Sequence, residues 1–113
     1  MNIDYTPEVE GVEGFVTIAL PSFVERCNYA PLQKDAVKLE SKLKKMDVSD
    51  QLDLLPVLGN MVDKTQHHIK KVALTFGGKK YESFNSLSFD PDCSGILIDL
   101  AGKIINGFPA SKN

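Results

Sequence analysis

The sequence predicts an α+β domain: a small antiparallel sheet of about three strands, with helices packed on one face. Three observations carry that expectation. Residues 69–76 alternate in polarity, and Gly77-Gly78 turns the chain back into residues 79–84, which reads as a β-hairpin in the C-terminal half. Phe15-Val16-Thr17-Ile18-Ala19-Leu20 is a second alternating run, between Gly14 and Pro21. Residues 32–46 and 96–105 carry apolar side chains at helical steps of three and four.

Bulk composition limits the function classes. The chain has 113 residues, 42% hydrophobic and 25% charged, which is room for one domain with one core, residues 1–113. Its formal net charge is −2, whereas gripping a nucleic acid by its phosphates calls for a basic surplus, so no nucleic-acid partner is expected. Cys27 and Cys93 are too few for a disulfide framework and fit no zinc spacing, so two buried or half-buried thiols are expected. The N-terminus, Met1-Asn2-Ile3-Asp4, does not read as a signal peptide, and no run approaches a membrane span. The expectation is a soluble protein of a reducing cytoplasm, with no membrane partner.

Along the chain, residues 1–12 hold Pro7, Gly11 and three acidic residues and read as a flexible arm. In the strand at 15–20, Val16, Ile18 and Leu20 form the more apolar face and should meet the core. Ser22 is placed to cap a short turn holding Phe23, Val24 and Glu25. Pro31 suits the first position of a helix, behind which Leu32, Ala36, Leu39, Leu43 and Met46 form one stripe opposite a lysine-rich face. That stripe is either a core face or a docking seam, because both give the same spacing. A second helical segment holds Leu52, Leu54, Leu55, Val57, Leu58, Met61 and Val62. Pro56 inside it predicts two helices meeting at Leu55 and Pro56, or one kinked helix.

The hairpin places Val72, Leu74 and Phe76 on one face. Asp90-Pro91 opens a terminal helix whose apolar set is Ile96, Leu97, Leu100, Ala101, Ile104 and Ile105, with Gly107 as its stop and residues 108–113 as a short tail. Gly95 and Gly102 lie seven apart in this helix, a weak mark of close backbone approach.

No catalytic, cofactor or metal motif stands out. His67-His68 invites a metal reading, but neighbours in a regular helix point apart, and no third histidine exists. Asp90 and Asp92 read as helix-capping groups, Asp99 as a solvent-face residue, and Arg26 as a structural or interface residue. No enzymatic site is expected. An unrecognised site around His67, His68 and Cys93 is the reading from another class.

One layout feature points further. An apolar strand closes on Leu20-Pro21-Ser22-Phe23 with Glu25-Arg26. A helical middle follows, then a hairpin, the phrase Tyr81-Glu82-Ser83-Phe84-Asn85-Ser86-Leu87, and a helix from Asp90-Pro91 to Asn106-Gly107. This order resembles the small tail assembly chaperones of long-tailed bacteriophages. The resemblance implies a non-enzymatic, self-associating protein of the infected bacterial cytoplasm. Such a protein binds the long helical tape measure protein and keeps it soluble until the tail tube forms. A head–tail joining or tail-completion protein is the alternative within the same setting. A helical client needs an apolar groove, and the surplus apolar surface that would bind it is Leu32, Ala36, Leu39, Leu43 and Met46 with Leu54, Leu58 and Met61.

Overall fold

A computed structural model describes the backbone of residues 1–43 and 48–107 and the side chains of residues 1–34 and 56–107. In order, the elements are β1 (Asn2–Tyr5), β2 (Glu13–Ala19), α1 (Phe23–Leu43), α2 (Val48–Thr65), β3 (Ile69–Phe76), β4 (Lys79–Tyr81), α3 (Phe84–Ser88) and α4 (Ser94–Asn106). The sheet runs β1-β2-β3-β4, and every neighbouring pair is antiparallel. The α+β architecture with a small antiparallel sheet is therefore as expected, with four strands in place of about three.

The additional strand comes from the arm expected to be flexible. Asn2 lies opposite Ala19 and Tyr5 opposite Val16. A four-residue edge strand is marginal by itself. It is held by Asp99, whose Oδ2 accepts from the Tyr5 hydroxyl at 2.7 Å and from the Glu8 backbone N–H at 3.0 Å. Asp99 is thus a half-buried anchor between the N-terminal segment and α4, a correction to the solvent-face expectation. The expected tail at 108–113 lies outside the described residues.

Strand alternation then builds the core. Val16 and Ile18 are both 0% exposed, and Val72, Leu74 and Tyr81 continue the inward face across the sheet. From the helices come Tyr29 and Leu32 of α1, Met61 of α2, Leu87 of α3, and Ile96, Leu100, Ala101, Ile104 and Ile105 of α4. Fully burying one such aliphatic or aromatic side chain contributes about 1.5–3 kcal/mol. Helix α4 packs against both α1 and α2. Gly102 is buried on it within the single chain, whereas Gly95 is exposed.

Two glycine requirements shape the sheet. Gly77 and Gly78 have φ of +60° and +79°, as a primed hairpin turn demands. Gly14 has φ of +98°, and a Cβ there would lie 2.0 Å from the Ala73 carbonyl oxygen, so only glycine lets β2 approach β3 at that point.

The helices differ from expectation in their limits. Helix α1 starts at Phe23, and Pro31 lies inside it. Helix α2 runs from Val48 through Pro56 to Thr65 as one helix rather than as two meeting at Leu55 and Pro56. An interior proline costs about 3 kcal/mol in an isolated helix. Burial of Tyr29 and Leu32 from one helix and Met61 from the other offsets that cost. Helix α3 was not expected. It is nucleated by a reciprocal cap, in which Ser86 N–H donates to Ser83 Oγ at 3.1 Å and Ser83 N–H to Ser86 Oγ at 3.3 Å. Asp90 caps the 3₁₀ turn Pro91–Cys93 that feeds α4, accepting from Asp92 N–H at 3.0 Å. Gly107, with φ of +95°, closes α4. Among the described residues, no helix is long and apolar enough to cross a membrane.

Candidate functional site

A group of converging polar side chains lies where the start of α1 meets the junction of α2 and β3. The sequence Ser22-Phe23-Val24-Glu25 forms a capping box: Glu25 N–H donates to Ser22 Oγ at 3.2 Å, and Ser22 N–H donates to Glu25 Oε1 at 3.1 Å. That second bond fixes the carboxylate by one oxygen. The other oxygen, Oε2, faces two histidines, at 3.1 Å from His67 Nε2 and 3.3 Å from His68 Nε2.

The histidines arrive there through the end of α2. Buried Thr65 donates from Oγ1 to the Met61 carbonyl at 2.7 Å, and a 3₁₀ turn over Gln66–His68 follows. In β3, Ile18 pairs with Ile69 and Thr17 with Lys71, so Lys70 is an extra residue and the ladder bulges two positions after His68. Bulges re-aim neighbouring side chains. The two rings are 4.1 Å apart by centroid and tilted by 37°, on one side of the chain. The expectation that adjacent histidines point apart holds for a regular helix, and this turn into a strand is not one.

Their environments differ sharply. The His68 side chain is 3% exposed and that of His67 59%. His68 Nδ1 lies 2.9 Å from the Ala19 carbonyl oxygen, which can only accept, so Nδ1 carries the proton. Nε2 of the neutral ring is then an acceptor, and the Tyr29 hydroxyl, 2.7 Å away, donates to it. Burial, followed by nearby positive charge, holds the His68 pKa below its ordinary 6.5, so the ring is neutral at pH 7. Glu25 is held at about 2, chiefly by the Ser22 backbone N–H and then by His67, so it is anionic. Burial, with the Glu25 charge added, pushes the Tyr29 phenol up.

The corner therefore presents a carboxylate oxygen and two imidazole nitrogens, all within 4.8 Å of one another, the one such three-residue group among the described residues. Cys93 is not part of it. That thiol is buried beside Tyr81 and Asp90, and burial raises its pKa, while Cys27 is exposed rather than buried or half-buried. Arg26 is exposed, and its neighbour Glu25 turns to the histidines instead.

The apolar residues proposed from sequence for partner binding fall in three groups. Leu32 and Met61, at 8% and 1% exposure, are core side chains and are not open to a partner, which corrects the docking reading for both. Leu58 is partly buried against the same core. The side chains of Ala36, Leu39, Leu43 and Leu54, and Met46 as a whole, lie outside the described residues. Among the described residues, the large apolar side chains that are exposed were not among those candidates: Phe23 at 80%, Val24 at 66%, Phe89 at 85% and the terminal Met1.

Sequence reasoning missed Glu25 and Tyr29 as partners of the histidines. The Ser-x-x-Glu signature was available to locate the helix start, but nothing local ties residue 25 to residues 67 and 68. Compared with known proteins, the chain matches no family model, no curated protein and no solved structure.

Proposed function

We propose that this protein is a non-enzymatic protein-binding module, and specifically a tail assembly chaperone of a long-tailed bacteriophage that holds the tape measure protein in the host cytoplasm. The observation that carries the binding reading is the adjacent pair Phe23 and Val24. Both are more than half exposed, on a helix start that the Ser22–Glu25 capping box keeps rigid. Adjacent exposed apolar side chains on a pre-ordered turn lose little conformational freedom on binding and suit the apolar face of a helical client. The phage assignment rests on the order of elements and on the phrase from Tyr81 to Leu87.

Co-expression with a phage tape measure protein that is insoluble alone tests this. The expected result is a soluble complex that co-purifies, and its loss with the double substitution Phe23→Ser, Val24→Ser in a chain that still folds. A tape measure protein that stays insoluble beside the intact chain overturns the assignment. The same reading expects self-association, and a strict monomer by light scattering counts against it.

A further inference from the structure

We propose that Glu25, His67 and His68 form a binding site for a divalent transition-metal ion of the zinc type, liganded by Glu25 Oε2 and the Nε2 atoms of both histidines. The spacing fits. Ligand atoms about 2.1 Å from a tetrahedral zinc lie about 3.4 Å from one another. Glu25 Oε2 is already 3.1 Å and 3.3 Å from the two nitrogens, and all three atoms lie within 4.8 Å of one another, so local side-chain movement brings them around one ion.

The supporting shell fits as well. Metal-bound histidines characteristically donate their second ring N–H to a carbonyl or carboxylate, which fixes the tautomer and aims the lone pair. His68 does so through Nδ1 to the Ala19 carbonyl at 2.9 Å. Glu25 is likewise oriented by its other oxygen, which accepts from Ser22 N–H. His67 is exposed, so its proton can move to Nδ1 at the solvent edge and leave Nε2 free.

Tyr29 is the remaining question, since its hydroxyl uses the lone pair that the ion would take. It has one proton and two acceptors within reach, His68 Nε2 at 2.7 Å and the Lys64 carbonyl at 3.2 Å. On metal binding it turns to Lys64, and no polar group is orphaned. Two imidazoles and one carboxylate suit zinc, nickel, cobalt or copper. Calcium needs six to eight oxygen ligands, and magnesium prefers oxygen in octahedral array. Three protein ligands leave the fourth position to water on the exposed side of His67. The ion would tie the start of α1 to the α2–β3 junction, 42 residues away in sequence.

The test uses the untagged full chain, freed of metal by a chelator and titrated with zinc chloride in a calorimeter, with thermal unfolding as the second reading. The expected result is one ion per chain and a Tm that rises with zinc. His67→Ala and Glu25→Gln should each weaken binding and erase the Tm rise. Loss of an outer-shell partner alone typically costs about 10–100-fold in affinity, so loss of a ligand should cost at least that. His67 is exposed, and glutamine at 25 preserves the capping box, so both variants should fold. Absence of binding to the intact chain, or undiminished binding in either variant, overturns the proposal.

Discussion

Two of the corners where this molecule pairs a tyrosine with a titratable neighbour do so differently. Between β4 and α4, Tyr81 donates to Asp90, Asp90 also accepts from Asp92 N–H, and Lys79 stands 3.8 Å away. Every acceptor there has a donor, and Asp90 at the same time caps the turn that starts α4. That corner is saturated and structural. At the other corner, Tyr29, Glu25, His67 and His68 share their contacts. Glu25 Oε2 and His68 Nε2 lie 3.3 Å apart although neither carries a proton when the ring is neutral, and Tyr29 chooses between two acceptors. A polar cluster with more acceptor sites than protons has room for a cation. A balanced one does not. The difference separates a fold-holding group from a candidate site where burial alone would not, since Tyr81 and Tyr29 are buried to nearly the same degree.

That contrast can be broken most severely at His68. Its ring is buried and bonded at both nitrogens. His68→Ala leaves a cavity and strands the Ala19 carbonyl, so a loss of about 2–4 kcal/mol is expected in denaturant unfolding. A change below 1 kcal/mol would mean that the corner is not held as described.

A smaller effect is expected at the saturated corner. Tyr81→Phe should lower stability, by less than His68→Ala does, because it removes one bond to a charged acceptor; denaturant unfolding checks this. The hydroxyl of Tyr81, then the Asp92 N–H, keep the Asp90 pKa below its ordinary 3.8. A depressed carboxylate stabilises the fold above its unfolded value, and that contribution is lost as pH falls from about 3.8 through the lowered one. In acid titrations followed by circular dichroism, Asp90→Asn should flatten this part of the stability profile. An unchanged profile would remove Asp90 from the account.

Ser22→Ala, which breaks one half of the capping box, should cost about 1 kcal/mol. The smallest effect is expected from Phe23→Ser alone, within about 0.5 kcal/mol, because the side chain is 80% exposed. A larger loss would show that Phe23 serves the fold rather than a partner.

The C-terminal half was the more legible part of this protein, because its signals are local. Gly77-Gly78 needs only its own positive φ to announce a turn, Asp90-Pro91 and Gly107 punctuate α4 from within, and the apolar spacing of Ile96 to Ile105 names its buried face. The inward choice of Val16 and Ile18 follows from alternation in the same way. Elsewhere, distant contacts decided. Residues 2–5 become a strand because β2 pairs with them and Asp99, 94 residues beyond Tyr5, holds the hydroxyl. Pro31 and Pro56 stay inside helices where burial on the shared core offsets a broken local preference. By itself, the sequence determined where the chain turns, caps and alternates, since those preferences act within a few residues. Only the tertiary structure decided that Glu25 meets His67 and His68, because that meeting depends on how α1, α2 and a bulged strand pack, and no short-range preference encodes it.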